Sequence, residues 1–222
     1  RLQWWRDLIG GKAHGEAQAN PVAAGLLSAL QEHRLPPATL ANMIEARQFD
    51  LYDDPMPDRT TFEGYAGETA SALIQLCVQV LSPEDAGQTA TAAGHAGVAQ
   101  SVAGALLLLP THRARGQVYI PGDILAASGL DREAFLQGRD GASIEQAFAG
   151  FVALGREHLS AARAASKDVS EASFAAFLPM ATVQQVFDRA EGAGAALLSQ
   201  PLQIAQWRRQ WHFWRAARKG RF

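Results

Sequence analysis

Cysteine is almost missing from this chain of 222 residues. Cys77 stands alone, which excludes a disulfide framework and a cysteine-based zinc site and fits a reducing compartment. Long apolar runs are missing too. The longest, Val102 to Leu109, stops at Pro110, far short of the roughly 20 residues that cross a bilayer as a helix. No signal peptide is visible. Neither sign of charge dominates: 20 basic and 22 acidic residues leave a formal net charge of −2. That balance excludes a generally basic nucleic-acid binder and a strongly acidic solvating protein. Lysine is scarce, only Lys12, Lys167 and Lys219, while roughly a fifth of the chain is alanine, a composition associated with GC-rich bacterial genomes. Phosphate-binding glycine loops, H-E-x-x-H and G-x-S-x-G are all absent; Gly192-Ala193-Gly194 lies inside a helical pattern with no strand before it. Period-2 alternation is also lacking, so no sheet is expected.

What remains is helical punctuation. Asn20-Pro21 reads as an N-cap with proline at the first helical position, followed by an apolar face of Val22, Leu26, Leu27 and Leu30. A second helix carries Leu40, Met43, Ile44 and Arg47 and runs to Asp53 or Asp54, where Pro55 and Pro57 stop it. Thr60 to Glu63 has the form of a capping box, and Tyr65, Thr69, Leu73, Leu76 and Val80 form the expected core stripe behind it. Ser82-Pro83 opens a long Ala/Gly-rich helix that ends near Pro110. Gly116 to Pro121 has strand-like character but is too short for a sheet. Further helices begin near Leu130 and Ser143, follow Pro179 through Val183, Val186, Phe187, Ala190 and Leu197, and close the chain over Gln203 to Arg218. With no repeat and no long linker, residues 1–222 read as one all-α domain, expected to lack its true N-terminus because it opens on Arg1.

Three clusters carry possible chemistry. Asp50, Asp53 and Asp54 share a face if their segment is helical, and could hold Mg²⁺; Asp58 is taken off that face by the prolines. The competing reading is a solvated turn at a helix C-terminus, the unfavourable end of the dipole for carboxylates. None of the six histidines pairs with another at helical spacing. His112 lies in a short basic loop, Pro110 to Gly116, where Arg113 and Arg115 could receive an anion. In the last segment Trp207, Trp211 and Trp214 recur at i, i+4 and i+7 among Arg208, Arg209, Arg215, Arg218, Lys219 and Arg221, with no acid after Glu191. Two readings stand: an interfacial anchor or partner-docking helix, or tryptophans docked in the core under a solvated arginine cover.

In order along the chain, Arg1-Leu-Gln-Trp-Trp-Arg6, Glu45 to Leu51, Phe62-Glu-Gly-Tyr65 with Ala70 to Leu73, and Gly94 to Pro121 ending Gly116-Gln-Val-Tyr119-Ile-Pro121 resemble segments of the squalene/phytoene synthase family. The resemblance implies an isoprenoid-synthase-type helical bundle without its first helices. Active members hold Mg²⁺ and prenyl diphosphate between two aspartate-rich motifs, because a departing diphosphate needs metal-held carboxylates. Counting back from Gly116 in the second motif, this chain has Leu107 in place of the arginine and Leu108, Thr111 and His112 in place of the carboxylates; the first motif would lie upstream of Arg1. Leucine and threonine cannot replace ionised ligands of a hard cation. Gly97 to Gln100, Leu109-Pro110-Thr111-His112-Arg113 and Val118 to Pro121, with Phe174 to Leu178 and Pro201-Leu202, resemble a divergent non-catalytic branch that includes a mitochondrial complex I assembly factor, although Leu107 departs from that branch too. This implies a non-catalytic, membrane-associated assembly factor that needs no cofactor. It would be peripheral to the bacterial inner membrane on its cytoplasmic side, or to the matrix side in a eukaryote. Its partners would be a membrane surface or membrane-protein assembly, with no nucleic acid. Two alternatives stay open: a Mg²⁺-dependent prenyltransferase using Asp50, Asp53 and Asp54, and a module that binds an isoprenoid lipid without turnover. His112, Arg113, Arg115 and Tyr119 are the candidate substrate or anion ligands; Trp207, Arg208, Trp211, Trp214 and Arg215 are the candidate docking residues.

Overall fold

The computed structural model describes residues 1–12, 19–52 and 55–222. Among them the chain folds into twelve α-helices and no strand: α1 (Leu2–Ile9), α2 (Pro21–Glu32), α3 (Pro37–Ala46), α4 (Arg59–Ala66), α5 (Ala72–Leu81), α6 (Ala90–Leu107), α7 (Leu109–Ala114), α8 (Gly122–Ala127), α9 (Arg132–Gln137), α10 (Gly141–Ala165), α11 (Val183–Ala193) and α12 (Gln206–Lys219). The all-α expectation holds. Several starts follow local chemistry: Asn20 accepts from the amides of Val22 and Ala23, and Asp140 from those of Ala142 and Ser143.

The centre is the pair α6 and α10, flanked by α11 and by the turn between α4 and α5. The alanine and glycine content of α6 has a structural use here: small side chains let helix backbones approach closely. A Cβ on Gly97 would lie 2.3 Å from the backbone nitrogen of Ser71, and one on Gly155 would lie 2.5 Å from the Phe187 ring. Bulk comes from Phe62, Phe135, Phe148, Phe151, Phe177 and Phe187, all buried. A smaller apolar cluster joins α1 to α2 through Trp4, Trp5, Leu8, Ala23 and Leu27, and Arg6 pairs with Glu45 of α3 beside it.

The structure corrects four sequence expectations. The N-cap of α4 is Asp58, whose carboxylate accepts from the Thr61 amide at 2.8 Å, so Asp58 is a capping residue and the Thr60–Glu63 box is not formed. The core stripe changes face partway along. Residues Gly67–Ser71 form a π-helical turn, in which Thr69 donates to the Tyr65 carbonyl and Ser71 to the Gly94 carbonyl. A π turn inserts one residue into the helical register and rotates all that follows. Leu73 is therefore 51% exposed and Val80 partly exposed, while Ile74 and Val78 take the buried positions. The second helix ends at Ala46 and continues only as a 3₁₀ turn, Arg47–Leu51. Finally, Pro110 to Gly116 is mostly the helical turn α7, closed by Gly116 at φ 73°, rather than a loop. After it, residues 117–121 run extended without a partner strand, anchored where the amides of Gly122 and Asp123 donate to the carbonyls of Met56 and Pro57.

Candidate functional site

A cavity of about 230 Å³ opens between the 3₁₀ turn after α3, the α4–α5 turn, the end of α6, and α7 with the extended segment behind it. Arg47, Tyr65, Gln100, Leu108, His112 and Tyr119 are among its lining residues. Small residues on α6, Gly104 and Ala105, leave the space, and Phe62 closes its apolar side.

Four polar groups beside this cavity converge on Asp50. Tyr65 and Tyr119 both donate to Asp50 Oδ1, at 2.9 and 2.8 Å, and Arg47 donates to Oδ2 at 3.1 Å and to the Tyr65 hydroxyl at 2.7 Å. Gln117 fixes the same residue from behind, donating to its backbone carbonyl at 2.9 Å. Phe49 packs edge-on against Tyr65 and Tyr119, which are tilted to each other, with ring centroids 5.9–6.3 Å apart. Burial, reinforced by Asp50, pushes both phenols well above the ordinary tyrosine range, so they remain donors at any physiological pH. Both oxygens of the Asp50 carboxylate are thus engaged by the protein itself, Oδ1 by two phenols and Oδ2 by Arg47.

His112 lies against Tyr119, ring centroids 4.5 Å apart, and is shifted to lower pKa by burial and then by the charge of Arg115. It is a neutral imidazole near pH 7. Its Nδ1 is buried with no hydrogen-bond partner, as is Oε1 of Gln100. Unpartnered buried polar atoms are costly, and two on the residues lining one cavity mark a place where a ligand or water would be stabilised.

The structure therefore brings together Asp50, His112 and Tyr119 of the predicted residues, and adds Arg47, Tyr65 and Gln100. None of these three was singled out as a site residue, although each lies in a segment that carries the family resemblance: Arg47 in Glu45 to Leu51, Tyr65 at the end of Phe62 to Tyr65, and Gln100 at the end of Gly97 to Gln100. Arg113, a predicted anion ligand, is turned elsewhere: it donates to the carbonyls of Leu136 and Leu198, tying α7 to α9 and to the 3₁₀ turn Gly194–Leu198. Arg115 and Thr111 are exposed and do not line the cavity, and Leu107 packs on the core. Asp53 and Asp54 lie outside the described residues. A pair that sequence spacing hid is His95 and His158, whose Nδ1 atoms meet at 3.1 Å across α6 and α10, with Glu63 3.4 Å from His158 Nε2.

The described donors do not fit a Mg²⁺–diphosphate centre. Among the described residues no carboxylate lines the cavity and no cluster of three metal-ligating side chains exists. Leu108 is hydrophobic, His112 is a poor ligand for so hard a cation, and Asp50 has its oxygens committed to Arg47 and two tyrosines.

The squalene/phytoene synthase family profile matches residues 1–215. The chain belongs to that family. Among its curated relatives, the mouse protein called NADH dehydrogenase (ubiquinone) complex I, assembly factor 6, is 28% identical over 184 residues, covering 83% of this chain and 55% of its own length. The Dictyostelium discoideum homolog of that factor is 22% identical over 190 residues, 85% of this chain and 53% of its own. The chain thus spans about half the length of these relatives. In solved structures the family fold recurs. Squalene synthase HpnC from Alicyclobacillus acidocaldarius superposes with a TM-score of 0.64 at 17% identity, over 89% of this chain and 69% of that one. A dehydrosqualene synthase in complex with ligand gives 0.72 at 14% identity, over 98% and 76%. At such identities these structures establish the all-α isoprenoid-synthase fold and nothing further.

Proposed function

We propose that this chain is a non-catalytic squalene/phytoene synthase-like protein that acts at a membrane surface as an assembly factor for respiratory complex I. The observation that carries the reading is the cavity: its lining holds no carboxylate among the described residues, and Asp50 beside it is neutralised by Arg47 and two phenols. A site built this way has no charge to spend on holding a metal against a leaving diphosphate. Similarity to proteins named complex I assembly factor 6 supports the assembly role. The exposed tryptophans of α12 support action at a membrane or membrane-protein partner, peripheral to the cytoplasmic face of a bacterial inner membrane or to its matrix-side equivalent. No described helix is long and apolar enough to cross a membrane. In this reading no cofactor is required.

The test combines chemistry and cell biology. The full natural protein, given farnesyl or geranylgeranyl diphosphate with Mg²⁺, should release no diphosphate. Depleting it in its host should lower assembled complex I, and both wild type and Asp50→Asn should restore it. Mg²⁺-dependent release abolished by Asp50→Asn would overturn the reading in favour of a prenyltransferase. A second reading, lipid holding without turnover, is favoured by the unpartnered Gln100 Oε1 and His112 Nδ1. At about 230 Å³ the cavity is smaller than the usual range for whole small-molecule ligands, so it would take one end of an isoprenoid. Mass analysis of lipid extracted from the purified protein decides that point.

A further inference from the structure

Helix α12 is docked by its narrowest side. It packs on the 3₁₀ segment Phe174–Thr182, burying Ala216 and half-burying His212 and Phe213. At 3.6 residues per turn, positions 207, 211, 214 and 218 share the opposite side. The indoles accordingly face water: Trp207, Trp211 and Trp214 are 65, 53 and 52% exposed. This excludes the reading in which they fill the core. They are also organised rather than scattered. Trp211 and Trp214 stack at 5.0 Å, and the guanidiniums of Arg208 and Arg218 lie 5.2 and 5.6 Å over the rings of Trp207 and Trp214. Three aromatic side chains exposed on one face form a patch that soluble surfaces rarely carry without a partner.

Charge indicates which partner. After Glu191 the chain has six Lys and Arg and no acid, so a net −2 overall leaves −8 on the rest. On α12 itself Arg208, Arg215 and Lys219 run along one flank of the tryptophan face. Arg215 and Lys219, with His212 and Arg221, line a groove of about 200 Å³ that no Asp or Glu side chain lines. Pairing this face with itself around a twofold axis would set like charges together. A tryptophan row with a cationic border and a small cationic groove instead matches the boundary of an anionic bilayer, where indoles sit at headgroup level and cations meet phosphate.

We propose that α12 is an interfacial helix that binds anionic phospholipid, inserting Trp207, Trp211 and Trp214 at the headgroup level while Arg215, Lys219 and Arg221 take a lipid phosphate in the groove beside them. This deepens the membrane part of the proposed function and rests on it. Vesicles of phosphatidylcholine alone and of phosphatidylcholine with phosphatidylglycerol provide the test, read by co-sedimentation, by tryptophan emission and by quenching from brominated acyl chains. Binding is expected to the anionic vesicles only, with a blue shift and quenching, and to weaken with added salt. Each cation removed should lower partitioning about fivefold. Arg215→Gln with Arg221→Gln should lower it further than the equally charged pair Arg208→Gln with Arg209→Gln, because only the first pair opens the groove. Trp207→Ser with Trp211→Ser should weaken binding and leave only the smaller blue shift that Trp214 can give, with helicity unchanged since both side chains are exposed.

Equal binding to neutral and anionic vesicles would overturn the proposal. So would unchanged binding in the tryptophan variant, or a concentration-dependent rise in mass that the same variant abolishes. Loss of complex I on depletion with no vesicle binding would end the lipid proposal and leave the assembly reading standing. Vesicle binding without any effect on complex I would do the reverse.

Discussion

The cavity around Asp50 and the outer side of α12 solve opposite problems in opposite ways. In the cavity, polar groups are turned on one another: one carboxylate, two phenols and a guanidinium satisfy each other within 3.1 Å. On α12, apolar groups are turned outward, and three tryptophans face water beside a row of cations. A self-satisfied polar cluster adds rigidity and specifies packing, yet offers little net charge to a ligand. An exposed aromatic row adds nothing to the fold and is retained only at some cost in solubility. The contrast sets a self-satisfied polar cluster beside the cavity against an unsatisfied apolar face at the surface.

If that division is right, substitutions near the cavity should move stability and those on α12 should not. The strongest disruption should be Gly97→Val, which forces side-chain carbon into the Ser71 backbone under the π turn. Overpacking of this kind costs about 1–3 kcal/mol and sometimes more, so denaturant unfolding should show a midpoint drop at the upper end of that range. Asp50→Ala comes next. It strips Tyr65, Tyr119 and Arg47 of their shared acceptor, and leaving such donors unsatisfied costs about 1–3 kcal/mol; Asp50→Asn, which keeps one acceptor oxygen, should cost less.

A pH titration sharpens the same comparison. His95 is held below its ordinary value by burial and then by the neighbouring His158, with Glu63 and Glu157 opposing, and His112 is lowered as well. A histidine with a depressed folded pKa takes its proton more readily when unfolded. Stability should therefore fall as pH drops through about 6.5 towards the folded value. His95→Gln should flatten part of that slope below about pH 6.5. The capping carboxylates Asp58 and Asp140 are also lowered, by hydrogen bonds to Thr61 and Ser143 respectively. Their contribution is lost only below the ordinary aspartate range, so they do not blur this window. The smallest effect belongs to α12: Trp211→Ala should change unfolding free energy by no more than about 0.5 kcal/mol. A loss of 2 kcal/mol there would mean that the indoles support the fold, and the contrast would collapse.

Much of this was readable before any coordinates. Proline, asparagine and aspartate mark helix starts because their side-chain chemistry acts within three residues: Asn20 caps its helix as expected and Asp131 caps the one expected near Leu130, while the start expected near Ser143 lies at the Asp140 cap. The resemblance that placed Leu108, Thr111 and His112 where carboxylates were expected also came from local strings. The stripe through Leu73 and Val80 failed because a single π turn, stabilised by Ser71 against α6, is invisible to a fixed 3.6-residue period. Arg47 and Tyr65 were read as helix-face residues, Tyr65 also as part of the family resemblance, because their polar partners lie where the chain folds back.

Sequence alone determined the helical class, the start of several helices, the lack of a metal-holding motif at positions 107–112 and the cationic, tryptophan-bearing last helix, since all of these depend on side chains within a few residues of one another. Only the tertiary structure decided which way the tryptophans face, that Arg113 ties helices instead of receiving an anion, that His95 meets His158, and that Asp50 is closed off by partners up to 69 residues away. Those outcomes depend on how close two helices can come, and that distance is set by glycine and alanine on α6 at the moment the core packs.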